Sequence, residues 1–169
     1  MTRHALALAA ALMAVLAAGP AGAAGVDFNL FAGVDLDSSV SLADVDTDVA
    51  TGYNLGLEVV VDLPVVEVGG GLEYGFPRDI ESSDADYHYL CAYGVGRVSL
   101  LPTLYVMARL GYAEISASGL ESGSVDSSTI WSAGAGFKLV DWFKLEAMYT
   151  RFTGDLHADS VQARLVVTF

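Results

Sequence analysis

A strict alternation of apolar and polar residues, with full charges standing in the polar row, runs through most of the chain after Gly25. A side-chain period of two belongs to β-strands, so the chain is limited to extended structure there. In the first such segment Phe28, Leu30, Ala32, Val34 and Leu36 share one face, and Asp27, Asn29, Phe31, Gly33 and Asp35 the other. The second sets Tyr53, Leu55, Leu57, Val59 and Val61 against Asn54, Gly56, Glu58, Val60 and Asp62, and the third sets Val66, Val68, Gly70, Leu72 and Tyr74 against Glu67, Gly69, Gly71, Glu73 and Gly75. The fourth is ambiguous: Tyr87, Tyr89, Cys91, Tyr93 and Val95 form a row that Arg97 joins unless a bulge near Gly96 turns it.

Four further segments complete the pattern. Leu104, Val106, Ala108, Leu110 and Tyr112 oppose Tyr105, Met107, Arg109 and Gly111, and Trp131, Ala133, Ala135 and Phe137 oppose Ser132, Gly134, Gly136 and Lys138. Phe143, Leu145, Ala147 and Tyr149 oppose Lys144, Glu146, Met148 and Thr150, and Val161, Ala163, Leu165, Val167 and Phe169 oppose Ser160, Gln162, Arg164, Val166 and Thr168. Tight turns at Leu63-Pro64, Leu101-Pro102-Thr103 and Asp141 alternate with long polar connections, among them 77–86 and 114–128. Eight strands of about 9 to 12 residues match the length that a tilted strand needs to cross a bilayer.

The N-terminus carries a different signal. Arg3 precedes an apolar run from Ala5 to Ala18, too short for the roughly 20 residues of a spanning helix. Gly19-Pro20-Ala21-Gly22-Ala23-Ala24 follows, with small residues where a signal peptidase cuts. Residues 1–23 therefore read as a cleaved signal peptide and 24–169 as one domain. After Gly25 every apolar run is interrupted before it reaches the length of a membrane helix, although 53% of the chain is hydrophobic. The single cysteine, Cys91, allows no disulfide within the chain and has no neighbours at metal-ligand spacing. A net charge of −13 disfavours nucleic-acid backbone as a partner.

Alternation alone does not say which face is outside. Glycines and the charges Asp27, Glu58, Asp62, Glu67, Glu73, Arg109, Lys138, Lys144, Glu146 and Arg164 collect on one face. In a narrow barrel interior those glycines make room for large neighbours, whereas on a wet exterior they would weaken strands for no gain. Tyr53, Tyr74, Tyr112, Trp131, Phe143, Tyr149 and Phe169 lie on the apolar face near strand ends, as the aromatic girdles of a membrane barrel do. An open edge in hydrocarbon would strand backbone donors and acceptors, so the first strand has to pair with the last.

With these features the chain resembles the eight-stranded outer-membrane barrels of the OmpA/OmpX kind. The resemblance is carried by the strand 104–112, the strand 144–152 and the closing row Val161, Ala163, Leu165, Val167 and Phe169, which is similar to the signal read by the barrel-assembly machinery. Arg164 stands where that signal has a glycine. The resemblance implies an all-β, antiparallel up-and-down transmembrane barrel in a Gram-negative outer membrane, with both termini periplasmic and long loops extracellular. It also implies dealings with lipid, lipopolysaccharide, periplasmic chaperones and the assembly machinery. No peptidoglycan-binding domain is expected after Phe169.

An eight-stranded barrel has room for its own side chains and little else. The charges Glu58, Asp62, Glu67, Glu73, Arg109, Lys138, Lys144, Glu146 and Arg164 are expected to pair into a network that plugs the lumen. The connections are acidic, with Asp37, Asp44, Asp46 and Asp48 in the first, Asp79, Glu81, Asp84 and Asp86 in the second, and Asp155 and Asp159 in the last. Asp44, Asp46 and Asp48 are the weak candidates for holding a divalent cation, without the glycine and distal Glu of an EF-hand. His157, Asp159, Ser160 and His88 do not have the spacing of the lipid A deacylases, so no enzyme and no cofactor is expected. A structural or surface-interaction role is the expectation. The alternatives are a narrow OmpW-like channel for small apolar molecules, which calls for apolar inward residues near the outer rim, and a soluble secreted β-barrel.

Overall fold

The computed structural model describes residues 25–42, 45–79, 86–118, 125–154 and 157–169. Nine antiparallel strands follow one another: β1 (Gly25–Leu42), β2 (Val45–Val49), β3 (Gly52–Asp62), β4 (Val66–Asp79), β5 (Asp86–Ser99), β6 (Leu104–Ser118), β7 (Val125–Val140), β8 (Phe143–Thr153) and β9 (His157–Thr168). From β3 to β9 each pairs with the next, β1 pairs with β3, and β1 closes on β9 from Asn29↔Thr168 through Gly33↔Arg164 to Leu36↔Val161. The result is a closed, eight-stranded, up-and-down barrel. The short strand β2 lies outside the count, pairing only with the far end of β1 from Ser38↔Val49 to Leu42↔Val45.

The alternation sorts as the sequence dictates. On β8 the odd positions Leu145, Ala147 and Tyr149 are exposed, while Lys144, Glu146, Met148 and Thr150 are buried. Apolar side chains therefore cover the outside, and the buried interior is mixed, with Glu58, Arg97 and Arg109 beside Phe31, Val60 and Tyr93. This is an inverted protein, and closure of β1 on β9 gives each of the eight barrel strands a partner on both sides.

Inward glycines make the interior packing possible. A Cβ on Gly136 would stand 2.1 Å from Cζ of Tyr105, and one on Gly75 would stand 2.2 Å from the Tyr89 ring. Both rings lie flat across the neighbouring strand, so the glycines make room for aromatic rings as well as for charges.

One point that the sequence leaves open is resolved, and two features differ from the sequence reading. The ladder of β5 runs through Val95, Gly96, Arg97 and Val98 without a shift on either side, so no bulge turns Arg97 and the whole Tyr/Cys row points inward with it. Bulges occur at Leu36/Ser39, Lys138/Val140 and Gly75/Arg78, the last around Pro77, which cannot donate to a ladder. The polar connections also continue as strand: β6 and β7 remain paired to Ser116↔Val125 inside the stretch taken for a Ser/Gly-rich loop. Residues 1–23, with the expected signal peptide, lie outside the described residues.

Candidate functional site

The lumen is the most constructed part of the molecule. Five acids, Asp35, Glu58, Glu67, Glu73 and Glu146, and five bases, Arg78, Arg97, Arg109, Lys144 and Arg164, are buried in it. An unpaired charge taken out of water costs several kcal/mol, which makes this even balance the condition for filling the barrel with ions at all.

At its centre four side chains form a square. Arg97 pairs with Glu58 and donates from Nε to Glu146 at 3.0 Å; Arg164 donates to Glu58 at 2.8 Å and from Nε to Glu146 at 2.5 Å. Each carboxylate is thus held by both guanidiniums, and each takes a phenol as well, Tyr93 to Glu58 at 2.9 Å and Tyr105 to Glu146 at 2.7 Å. The Arg164 guanidinium also lies over the Phe31 ring, 4.2 Å from its centroid. The four square-forming side chains are at most 1% exposed, so this level of the lumen is occluded.

Toward the long-connection end, Arg109 donates to Glu73 at 2.6 Å and to Gln162 Oε1 at 2.8 Å, with Ser132 and Thr150 completing its fan. Gln162 Nε2 bridges Glu73 and Asp35 at 2.8 and 2.9 Å, and Asp35 pairs with Arg78 and accepts from Asn54 at 3.1 Å. Toward the short-turn end, Glu67 takes Lys138 at 3.0 Å and Lys144 at 3.3 Å, with Arg97 at 3.7 Å. Every membrane-crossing strand contributes: Asp35 from β1, Glu58 from β3, Glu73 from β4, Arg97 from β5, Arg109 from β6, Ser132 from β7, Glu146 from β8 and Arg164 from β9.

Of the charges expected in the network, Asp62 is not in it. It is exposed at the short-turn rim, two residues past Val60, the last covered inward position of β3. Glu58, Glu67, Glu73, Arg109, Lys138, Lys144, Glu146 and Arg164 lie where the lattice runs. Missed were Arg97, hidden in a row that reads as aromatic, and the pair Asp35 and Arg78, the latter in what reads as a polar connection. Also missed was an apolar cap on the lattice at the long-connection end, formed by the inward Ile115, Ile130, Phe152 and Ala158, with Phe152 and Tyr89 ring to ring at 5.1 Å.

The row Val161, Ala163, Leu165, Val167 and Phe169 runs down the outer face of β9, and Phe169 is hydrogen-bonded through its backbone to Phe28 at 2.8 and 3.2 Å. Asp44 lies outside the described residues, as do Glu81, Asp84 and Asp155. Asp46 and Asp48 fall on β2 opposite Ser41 and Ser39. Among the described residues no three metal-ligating side chains gather. Ser160 is buried inside, while His157 is exposed and Asp159 alternates with Ser160 to the outer side, so that trio does not converge.

Arg151 is the only Lys or Arg on the outer surface of the described residues, and it pairs with Asp159 at 3.4 Å. The charge of −13 is accordingly displaced to the two ends, chiefly into the long connections.

Several solved structures share this architecture. The attachment invasion locus protein Ail of Yersinia pestis matches with a TM-score of 0.67 at 18% identity, over 86% of this chain and 99% of that one; a structure of it in complex with the heparin analogue sucrose octasulfate matches at 0.63. Neisserial surface protein A matches at 0.58 with 13% identity over 86% and 99% of the two chains. The N-terminal barrel domain of Pseudomonas aeruginosa OprF matches at 0.56 with 14% identity over 85% and 96%. No protein-family model matches the sequence, and no curated protein does. The fold is that of the eight-stranded outer-membrane β-barrels.

Proposed function

We propose that the chain is a non-conducting, non-catalytic protein of the outer membrane that acts through its surface, as a membrane-stabilising barrel whose acidic external connections make contact with other molecules. The observation that carries this reading is the occluded level of the lumen: the neutral square of Glu58, Arg97, Glu146 and Arg164, each side chain at most 1% exposed, fills the barrel there, which supports the lipid face and the long-connection end as what the molecule offers to partners. In this reading both termini and the short turns face the periplasm and the long connections face outward.

The ligand class differs from that in the Ail complex. A sulfated polysaccharide needs a basic surface, and here Arg151, already paired, is the only outward Lys or Arg among the described residues. The long-connection end is suited to cationic partners, or to divalent cations shared with lipopolysaccharide phosphates. Cells displaying the barrel should adhere to a polylysine-coated surface and not to heparin, and shortening the first and third long connections should abolish that adhesion while leaving folding intact. Undiminished adhesion by the shortened barrel would sink the assignment.

A second reading draws on the apolar cap. Ile115, Ile130 and Phe152 are the inward apolar residues near the outer rim that a site for small apolar molecules requires. In that case the square beneath makes it a pouch, and an apolar fluorescent dye should bind the folded barrel without any conductance in a planar bilayer.

A further inference from the structure

On the short-turn side of the square the barrel opens into a cavity of ≈ 550 Å³, with Asp62 of β3, Leu63, Ser99 of β5, Leu101 and Lys138 of β7 among its walls. β3 and β7 stand four places apart in the ring of eight, so this is the mouth of the lumen and not a crease between neighbouring strands. Its floor is the lattice: Lys138 reaches Glu67 at 3.0 Å, and Glu67 lies 3.7 Å from Arg97 of the square. The rim is tied by its backbone, with Ser99 N–H donating to the Val65 carbonyl at 2.9 Å and Lys138 N–H to the Thr103 carbonyl at 2.7 Å. A fixed concavity of this size, walled by apolar residues with a few placed polar groups, has the form of a small-molecule site.

The charges at the mouth are balanced in number but not paired one to one. Asp62 and Glu67 stand there against Lys138 and Lys144, and both lysines are on Glu67, Lys138 at 3.0 Å and Lys144 at 3.3 Å. Asp62 is the partner of Glu67 in the β3–β4 ladder, yet it makes no ion pair with any described residue. When Lys138 turns away, Glu67 keeps Lys144 and has Arg97 near it, so no buried carboxylate is stranded. Lys138, 25% exposed, is therefore a spare cation, and an ammonium has protons to donate beyond the one that Glu67 takes. One available cation and one available anion face the same cavity. A ligand of net charge leaves one of them unanswered, whereas a ligand that carries both signs satisfies both.

We propose that the short-turn mouth is a binding site for a small zwitterion with an apolar body, of the class of an apolar amino acid or its dipeptide. Asp62 accepts from the ligand's ammonium, Lys138 donates to its carboxylate, and Leu63 and Leu101 cover its apolar side chains. This adds a third face to the surface reading and does not rest on it. With residues 1–23 removed as a signal peptide, the α-ammonium of Ala24 arises one residue before Gly25, which is on the same cavity wall, and it is the competing partner for Asp62.

Leucylleucine, its N-acetyl derivative and its C-terminal amide are titrated against the barrel folded in a non-ionic detergent, with binding read by saturation-transfer NMR and folding checked by the gel shift on boiling. Expected is saturable binding of the free dipeptide, weakened about fivefold by either blocking group. In K138M the amide should bind as well as the free dipeptide, and in D62N the acetyl derivative should, because the pole that told them apart is gone. If the acetyl derivative binds the parent barrel as tightly as the free dipeptide and D62N changes nothing, Asp62 belongs to the chain's own terminus and the zwitterion site is overturned. Absence of saturable binding, or a selectivity that survives both substitutions, overturns it as well. None of these results touches the closed barrel, which the gel shift tests separately.

Discussion

Replacing Arg164 by Met removes one corner of the square and tests whether the lattice is a stabilising unit or a passive filling. Arg164 has no exposed side-chain surface, donates at 2.8 Å to Glu58 and at 2.5 Å to Glu146, and lies 3.9 Å from Glu73. After R164M the two carboxylates share Arg97 alone, and five buried acids face four buried bases. Losing one partner of a buried pair costs about 3–5 kcal/mol, because the other charge is left in a medium that does not solvate it. At a slope of about 2 kcal/mol per molar urea this moves the unfolding midpoint of the lipid-reconstituted barrel down by about 2 M, read by tryptophan emission and by the gel shift on boiling. The double variant R164M/E146Q restores neutrality and should recover at least half of that loss, leaving about 1–2 kcal/mol for the missing hydrogen bonds. R164G brings the closing strand nearer to the assembly signal of related barrels, yet the lattice requires it to be less stable than the parent. A midpoint for R164M within about 0.3 M of the parent, or a double variant no better than the single, would refute the reasoning.

Three shorter predictions come from the same packing. Gly136→Val drives side-chain atoms into the Tyr105 ring and should destabilise by about 1–3 kcal/mol in urea titration, whereas Gly96→Ala, whose new Cβ meets nothing within 4 Å, should leave the midpoint where it is. Cys91, 1% exposed on the inner face, should resist maleimide in the folded barrel and react fully after boiling; rapid labelling of the folded form would place water in the lumen. Glu67 is held by one buried and one partly exposed lysine, so Lys144→Met should cost more stability than Lys138→Met, whose effect should stay within about 1 kcal/mol; the reverse order would contradict the layering.

Period-two patterning carried most of the architecture, because in a membrane barrel the two faces of a strand meet opposite solvents and the sequence has to obey both. It carried less of the lattice, for reasons visible in particular residues. Arg97 stands at the end of a row of Tyr, Cys and Val, and apolar character marks the lipid face everywhere else in the chain; only the alignment with Glu67 on β4 makes that row an inner one. Arg78 follows Pro77 across a bulge, where alternation is interrupted and a strand cannot be read through. Ile115 sits in a stretch of Ser and Gly that reads as a loop, although the ladder runs on beyond it. Asp62 errs the other way: its parity is that of the inner face, but the strand ends before its carboxylate comes under cover.

The lattice draws on all eight barrel strands, and two of its connecting groups, Arg164 and Gln162, are on β9. Until β9 arrives, Glu58 and Glu146 lack one of their guanidiniums and Arg109 lacks its amide, so a seven-stranded intermediate keeps a wet, charged seam that hydrocarbon rejects. Docking of the final strand therefore does two jobs at one moment, zipping the wall and drying the interior. A chain truncated before β9 has neither, and the unpaired charges of its seam set a cost that hydrocarbon does not repay.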